Sequence, residues 1–210
     1  MAAFFFSLLA LTALTGAVAV TALTIVARRD PEGQAATLLD DVAGVALPLA
    51  AVVAATSMVG SLVFSEVLGY PPCTLCWYQR IAMYPLAPIL GIAAVRRDLA
   101  VRPYVLVLAG SGAVISVYHY VIQWMPDLEA TACAVDNPCT AVFVREFGVV
   151  SIPFMALAGF LAIIALVRIA GAGPAARDDA GTGAATAAHV TGGAPDRRTG
   201  PHSSDRERGR

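Results

Sequence analysis

The sequence predicts an all-α integral membrane protein, in which a four-helix core is preceded by one extra N-terminal transmembrane helix. Only 14% of its 210 residues are charged and 58% are hydrophobic, whereas a soluble domain carries about 25% charged residues. The mean hydropathy of +0.71 also indicates lipid as the solvent. Apolar residues fall into five stretches, each long enough to cross a hydrocarbon core of about 30 Å as a helix. The net charge of −1 gives no reason to expect a nucleic-acid partner.

The five stretches define the predicted helices in chain order. They run approximately from Ala3 to Ala27, Val42 to Phe64, Tyr78 to Val95, Tyr104 to Ile122 and Gly148 to Ile169. The predicted organisation is an extra helix over residues 1–27, a cytoplasmic loop over 28–41, and a redox core over 42–169 with two outward Cys loops. Proline residues within these stretches predict local kinks; they are Pro48, Pro85, Pro88 and Pro153.

Residues 170–210 differ in kind from the rest of the chain. Gly, Ala, Thr and mixed charges dominate them, and large apolar side chains are nearly absent. Such a segment cannot bury enough surface to offset its ordering entropy, so we expect a disordered cytoplasmic tail. His189 and His202 lie in it and are expected to be solvated, because neither has a clustered set of metal ligands.

The arginine distribution predicts the orientation in the membrane, because cytoplasmic loops are enriched in basic residues. One side of the predicted bundle carries most of them: Arg28, Arg29, Arg96, Arg97, Arg102, Arg168 and those of the tail. The other side holds only Arg80 and Arg145 near the membrane. The N-terminus and both Cys loops should therefore be extracytoplasmic, and the tail cytoplasmic.

The first apolar stretch could instead be a cleaved signal peptide, since an Ala-x-Ala pattern occurs at Ala17 to Ala19. However, no positive charge precedes the stretch, as a signal peptide normally requires. Cleavage would also place Arg96 and Arg97 outside, against the charge rule. The sequence therefore favours an uncleaved helix.

A Cys-x-x-Cys pair, Cys73 and Cys76, opens the third helix. Pro71 and Pro72 precede it, and proline cannot continue an earlier helix but suits the entry to a new one. A helix N-terminus carries positive partial charge and unpaired N–H groups, which favour thiolate over thiol. The pair can also close and reopen a disulfide, so it predicts a two-electron switch at the membrane surface.

Arg80 lies four residues after Cys76 and should share its helix face. A charge at that depth in a membrane is costly and usually has a partner or a purpose. Arg80 could stabilise a thiolate or the developing charge on a quinone oxygen, and Gln79 could add a hydrogen bond. The alternative is that Arg80 reaches out to the lipid headgroups.

A second pair, Cys133 and Cys139, lies in the predicted outer loop over residues 123–147, around a turn-forming Asp-Asn-Pro sequence. In an oxidising compartment it could be a static structural disulfide. Because both pairs face the same side, thiol–disulfide exchange between them is also possible. A zinc site built from all four cysteines is disfavoured, since such sites usually have two short Cys spacings.

His119 lies near the outer end of the fourth helix, at a depth where it could meet Arg80. A His within a membrane helix is a candidate for function, here by donating to a quinone oxygen or passing a proton. The alternative is a His hydrogen-bonded within the bundle.

The residues Cys73 to Ile81 (CTLCWYQRI), Tyr118-His119-Tyr120, and the Asn137-Pro138-Cys139-Thr140 and Ser151-Ile152-Pro153-Phe154 stretches resemble the disulfide bond formation protein B family. This family comprises the DsbB/BdbC thiol–quinone oxidoreductases. The resemblance covers roughly residues 45–170, and the short second Cys spacing looks more like the BdbC branch. Two departures from the family pattern are the extra first helix and the long polar tail.

The resemblance implies a role for each candidate residue. Cys73 and Cys76 would form the disulfide that a quinone of the bacterial cytoplasmic membrane, ubiquinone or menaquinone, regenerates. Cys76 would be the thiolate that contacts the quinone, and Arg80 would help to bind the quinone and stabilise its negative charge. A reduced, extracytoplasmic DsbA-like thioredoxin-fold protein would attack the Cys133–Cys139 disulfide at Cys133, and Cys139 would then exchange with Cys73. The implied activity is a disulfide-forming dithiol:quinone oxidoreductase.

Three other functions remain open from the sequence. A vitamin K epoxide reductase-like enzyme shares four helices and a Cys-x-x-Cys, but there the motif belongs to the last core helix. A membrane metal-binding protein would hold metal and keep its thiols reduced. A structural protein with two inert disulfides would lose only stability when Cys73 or Cys76 is replaced.

Overall fold

The computed structural model describes residues 1–129, 133–134 and 136–171, and within them it is helical, with no β-strand. Five long helices follow in order: α1 (Ala2–Arg29), α2 (Gln34–Leu62), α3 (Thr74–Arg96), α4 (Arg102–Ile122) and α5 (Ile152–Ile169). A π-helical turn, Val63–Val67, extends α2, and a short 3-10 turn, Pro126–Leu128, follows α4. The predicted disordered tail, from residue 172 onward, lies outside the described residues.

Four of these helices are long and apolar enough to span a membrane, namely α1, α2 with its π-helical extension, α4 and α5. The predicted all-α membrane bundle, with a four-helix core and a preceding helix, is thereby confirmed. α3 is less apolar because it carries Gln79, Arg80 and two prolines. Its 23 residues would nevertheless extend about 35 Å at 1.5 Å per residue, and it lies between α2 and α4.

Three helices do not begin where the predicted apolar stretch begins. α2 begins at Gln34, inside the predicted loop over 28–41, because residues that are polar yet helix-compatible precede the apolar part. α3 begins at Thr74, immediately after the Pro-Pro-Cys sequence. α5 begins at Ile152 because Phe147 and Gly148 both have positive φ, and Glu146 and Val150 exchange two backbone hydrogen bonds of 2.9 Å.

The core is centred on α5, which contacts α4, α1 and α2, while α3 packs between α2 and α4. Phe160 of α5 is fully buried and its ring lies directly against Gly112 of α4, where a Cβ would collide with it. Leu86, Leu90 and Ile163 complete this centre. This centre holds α3, α4 and α5 together, and the segments that carry the cysteines lie at the N-terminal ends of α3 and α5 and the C-terminal end of α4.

Candidate redox site

The start of α3 is capped by a cysteine. Cys73 has extended backbone dihedrals at the N-cap, and its sulfur accepts a hydrogen bond from the backbone N–H of Cys76 at 3.3 Å. Asn, Asp, Ser and Thr usually occupy this position because an oxygen acceptor satisfies the free N–H groups of the first turn. Here a sulfur takes the same place, so the helix terminus favours negative charge on Cys73.

Cys73 and Cys76 form a close pair of free thiols. Their sulfur atoms are 2.8 Å apart, and the Cys73 sulfur is also 3.7 Å from Nε2 of His119. Cys73 precedes α3 and lies outside the spanning segments. The hydrogen bond from the Cys76 thiol, followed by a hydrogen bond and charge attraction to His119, lowers the pKa of the Cys73 thiol well below its usual value. Burial of Cys73 opposes this effect but does not cancel it.

Cys133 and Cys139 are joined by a disulfide. Cys139 is fully buried, whereas Cys133 is partly exposed. Glu129 fixes the Cys139 end: one carboxylate oxygen accepts the backbone N–H of Cys139 at 2.8 Å, and the other accepts the hydroxyl of Thr140 at 3.3 Å. The disulfide therefore joins a partly exposed residue to a fully buried one.

The two cysteine pairs meet in one packed cluster. Cys73 and Cys139 pack with Leu75 and Ile122, and Cys76 and Cys133 lie against the same group. In addition, the side-chain amide of Asn137 donates to the backbone carbonyl of Pro72 at 3.2 Å, which ties the second Cys loop to the segment before Cys73. The sequence could predict that both pairs face one side, and the fold places them in contact.

His119 connects the two pairs. Its Nε2 is 3.1 Å from the backbone carbonyl of Cys139, and its Nδ1 is 3.3 Å from Oε1 of Gln79. Gln79 in turn donates to Ser116 at 2.8 Å, and Ser116 donates to the carbonyl of Gly112. All of these side chains are buried, so His119 is held in one orientation between Cys73 and Cys139.

Arg80 is anchored to α2 within the bundle. Its Nε donates to Oγ of Ser61 and its Nη2 to the backbone carbonyl of Ser61, both at 3.0 Å. The guanidinium also lies 5.2 Å from the centre of the Trp77 ring and 6.0 Å from that of Tyr84. These contacts hold the guanidinium within the bundle, and a role for Arg80 in binding a quinone stays a prediction.

A cavity of about 330 Å³ lies between α1, α2, α3 and α5. Cys76, Gln79 and Arg80 are on its wall, and most of the remaining lining is apolar or aromatic. Sites for small molecules are typically roughly 300–1,000 Å³, mainly apolar, with a few placed polar groups, so the cavity has the size and lining of a small-molecule site. A second cavity of about 20 Å³ borders Cys73, Cys76 and His119. His119 therefore lies at the cysteines and does not line the large cavity.

All seven candidate residues from the sequence come together in this region, and their individual roles remain predictions. The sequence analysis missed Ser61, Ser116 and Glu129, which hold Arg80, Gln79 and Cys139 in place. A Ser in an apolar helix or a Glu in a loop does not by itself indicate a functional site. The bond from Glu129 to Cys139 depends on the fold.

The fold and the site define a class: a helical membrane protein with a free dithiol and a disulfide in one buried cluster at the end of its bundle. The family described as "Disulfide bond formation protein DsbB" matches residues 44–170. The chain belongs to this family, and it is a multi-pass membrane protein that functions in disulfide bond formation. α1 and the beginning of α2 lie outside the matched residues.

Several relatives have names that agree with this family. The chain is 46% identical over 123 residues to "Probable disulfide formation protein C 2" of Bacillus anthracis, covering 59% of this chain and 88% of the relative. It is 48% identical over 114 residues to "Disulfide bond formation protein C" of Bacillus subtilis, covering 54% and 83%. These similarities confirm the BdbC-like branch predicted from the second Cys spacing. No solved structure matches the chain significantly.

Proposed function

We propose that the protein is a dithiol:quinone oxidoreductase that reoxidises a thioredoxin-fold protein outside the cytoplasm and passes the electrons to a membrane quinone. The position of Cys76 carries this proposal. Cys76 contacts Cys73 in the cluster that contains the Cys133–Cys139 disulfide, and it also lines the large apolar cavity. Cys76 therefore lies between the cysteine cluster, where a protein thiol would react, and the cavity, where a small apolar acceptor would bind.

The first exchange occurs at the second Cys pair. A donor thiolate attacks the sulfur of Cys133, the partly exposed residue of the pair; the Cys133–Cys139 bond breaks, and Cys139 leaves as a thiolate. The fully buried Cys139 is out of reach of a large partner, which supports the assignment of the mixed disulfide to Cys133. The second donor thiol then displaces Cys133, and the donor leaves as a disulfide.

The second exchange moves the electrons to the first pair. The Cys139 thiolate attacks Cys73 of an oxidised Cys73–Cys76 pair, and Cys76 leaves. Cys133 next attacks the Cys139 sulfur of the mixed disulfide, which restores Cys133–Cys139 and releases Cys73. A thiol with a low pKa leaves faster, so the hydrogen bonds that lower the pKa of Cys73 favour this last step. The products are a Cys133–Cys139 disulfide and a Cys73/Cys76 dithiol.

A quinone bound in the cavity would accept two electrons and two protons and return Cys73 and Cys76 to the disulfide. Cys76 and Gln79 line the cavity and would face the head group, and Arg80 would supply positive charge where negative charge develops. Ser61 keeps the guanidinium fixed for this task through two hydrogen bonds. Ubiquinone and menaquinone both have a planar head group compatible with the aromatic lining.

Detergent-purified protein, a reduced thioredoxin-fold donor and a soluble quinone test the proposal through the loss of quinone absorbance. Wild type should consume quinone, and Cys76→Ser should not, because a serine cannot form the disulfide. The Cys76→Ser variant should still form a mixed disulfide with the donor at Cys133, which would show that the Cys133–Cys139 disulfide still reacts. Folded wild-type protein that consumes none of several quinones with several donors would contradict the proposal and favour the metal-binding or inert-disulfide alternative.

A further inference from the structure

One wall of the large cavity is formed by α1, the helix that lies outside the residues matched by the family. Five α1 side chains border the cavity: Phe6, Leu9, Ala10, Thr12 and Ala13. The opposite walls come from α2, α3 and α5, with Cys76 and Arg80 among them. The extra helix therefore borders the same space as the redox dithiol.

α1 is packed into the bundle and contacts both α2 and α5. Ser7, Ala10 and Ala17 are buried on its inner face. Ala13 and Ala17 pack against Ala162 and Ala165 of α5. Small residues at such a contact allow the backbones of membrane helices to approach closely, so α1 is a fixed wall of the cavity.

Phe6 is the aromatic side chain that α1 contributes to the cavity. Its ring lies against Gly60 of α2, where an added Cβ would be 2.9 Å from a ring carbon. A row of rings continues from it: the Phe6 centroid is 5.5 Å from that of Phe64, and Phe64 is 6.2 Å from Tyr70. Tyr70 is stacked on Phe143 at 5.4 Å. All four rings line the cavity, and the row leads from α1 to the loops that carry the cysteines.

We infer that α1 is part of the acceptor site and that Phe6 is a specificity-determining residue for the quinone head group. The inference rests on the proposed function. A planar head group between Arg80 and this row of rings would bury its apolar surface against Phe6 and gain the offset ring contacts that aromatic pairs favour. Without the Phe6 ring, a single-ring quinone loses that contact, whereas a fused two-ring quinone extends into part of the vacated space.

The test compares Phe6→Ala with Phe5→Ala in the full-length protein. Phe5 is the adjacent ring, touches Phe6, is exposed on the outside of the bundle and does not line the cavity. Phe6→Ala should raise the KM for a short-chain benzoquinone about tenfold, equivalent to about 1.4 kcal/mol, and raise the KM for a short-chain naphthoquinone less. Phe5→Ala should change neither KM by more than about twofold, which is well below the tenfold change that corresponds to about 1.4 kcal/mol. The rate of mixed-disulfide formation with the donor should be the same in all three proteins.

A second pair of variants approaches the same contact from α2. Gly60→Ala pushes the Phe6 ring from its place, whereas Gly44→Ala, in the same helix, meets no atom within 4 Å. Gly60→Ala should therefore change the quinone KM, and Gly44→Ala should not. Thermal unfolding in detergent verifies that each variant is folded before it is compared.

Direct binding gives a readout that does not depend on turnover. Trp77 lies beside Arg80, so quenching of tryptophan fluorescence by the two quinones should give dissociation constants with the same ratios as the KM values. Equal quinone binding and KM in Phe6→Ala and Phe5→Ala, with wild type active, would overturn the inference and leave the proposed function intact. Wild type that neither binds nor reduces any quinone would instead overturn the proposed function.

Discussion

Cys73 combines three influences that normally act on different residues. It caps α3, it lies 2.8 Å from a second thiol, and it faces His119. Each of them stabilises a negative sulfur, and together they outweigh the opposing effect of burial. The helix start predicted a depressed cysteine pKa without distinguishing the two residues, and the family resemblance implied that Cys76 is the thiolate. The hydrogen bond from the Cys76 backbone N–H and the contact with His119 instead favour a thiolate at Cys73 in the reduced pair.

The first prediction concerns the pH dependence of Cys73 alkylation. In a variant with Cys133→Ser and Cys139→Ser, the reduced protein should react with iodoacetamide at Cys73 at pH values well below the usual thiol pKa of 9.0. The thiolate is the reactive form, so the rate should rise through the lowered pKa and then level off. Mass spectrometry of the modified peptide identifies the residue at each pH.

Two replacements of Cys76 separate the hydrogen bond from the other influences on Cys73. Cys76→Ala removes the side-chain donor, so the inflection of the alkylation rate should move to higher pH. Cys76→Ser keeps a donor and should move it less. An inflection near the ordinary thiol pKa in the protein that retains Cys76 would contradict the proposed stabilisation of the Cys73 thiolate.

The residues of the site differ in how far sequence could find them. Cys73, Cys76 and Arg80 lie within one short motif, and helical spacing alone brings them together. His119 was visible as an ionisable residue in a membrane helix, but its contacts with Cys139 and Gln79 depend on how α3 and α4 pack. Nothing in the sequence indicated that Ser61 belongs to the site, because a hydroxyl in an apolar helix usually bonds to its own backbone. Its hydrogen bond with Arg80 arises from the packing of α3 on α2.

At the scale of the helices, apolar stretches predicted where the chain crosses the membrane but not where each helix ends. Hydropathy reports contact with lipid, whereas helix ends are set by backbone hydrogen bonds and capping. α3 therefore begins at Thr74, ahead of its apolar part, because Cys73 caps it. α5 begins after Gly148, because that residue and Phe147 have φ values of 76° and 52°, which a helix cannot include.

The packing of α4 on α5 gives the second prediction. Gly112→Ala should destabilise the protein, since the new methyl group would collide with the buried Phe160 ring. Overpacking of this kind costs about 1–3 kcal/mol. Gly110→Ala, two residues away in the same helix, meets no atom within 4 Å and should be nearly neutral. Thermal unfolding in one detergent should give a lower midpoint for Gly112→Ala, and equal midpoints would show that α4 can move away from Phe160 at no cost.

At the scale of the whole molecule, the proposed function places the reaction with a protein partner and the reaction with a quinone in different parts of the bundle. The second Cys loop and its disulfide lie at one end, joined to the segment before α3 by Asn137. The large cavity lies among the helices, with α1 as one wall. Sequence could predict that an extra helix precedes the core, but its contact with the cavity required the packing of α1 between α2 and α5.

The third prediction is that α3 crosses the membrane with the cysteine end outside the cytoplasm. It is less apolar than the other four helices, yet its polar groups are satisfied inside the bundle: Gln79 bonds to Ser116, and Arg80 bonds to Ser61. A polar residue that faces the bundle interior does not prevent spanning. The surplus of arginine at the opposite end of α3 should then hold that end in the cytoplasm.

Single cysteines at the two ends of α3 test this orientation in a variant whose four native cysteines are replaced by serine. Glu66→Cys lies before α3 and Asp98→Cys after it, and both positions are exposed. A membrane-impermeant maleimide should label Glu66→Cys in intact cells, and Asp98→Cys only after permeabilisation. Labelling of both in intact cells would mean that α3 does not cross, and labelling of Asp98→Cys alone would reverse the orientation. The reversed orientation would also contradict the proposed function, because the cysteine end of the bundle would then lie in the cytoplasm, where an extracytoplasmic donor could not reach Cys133.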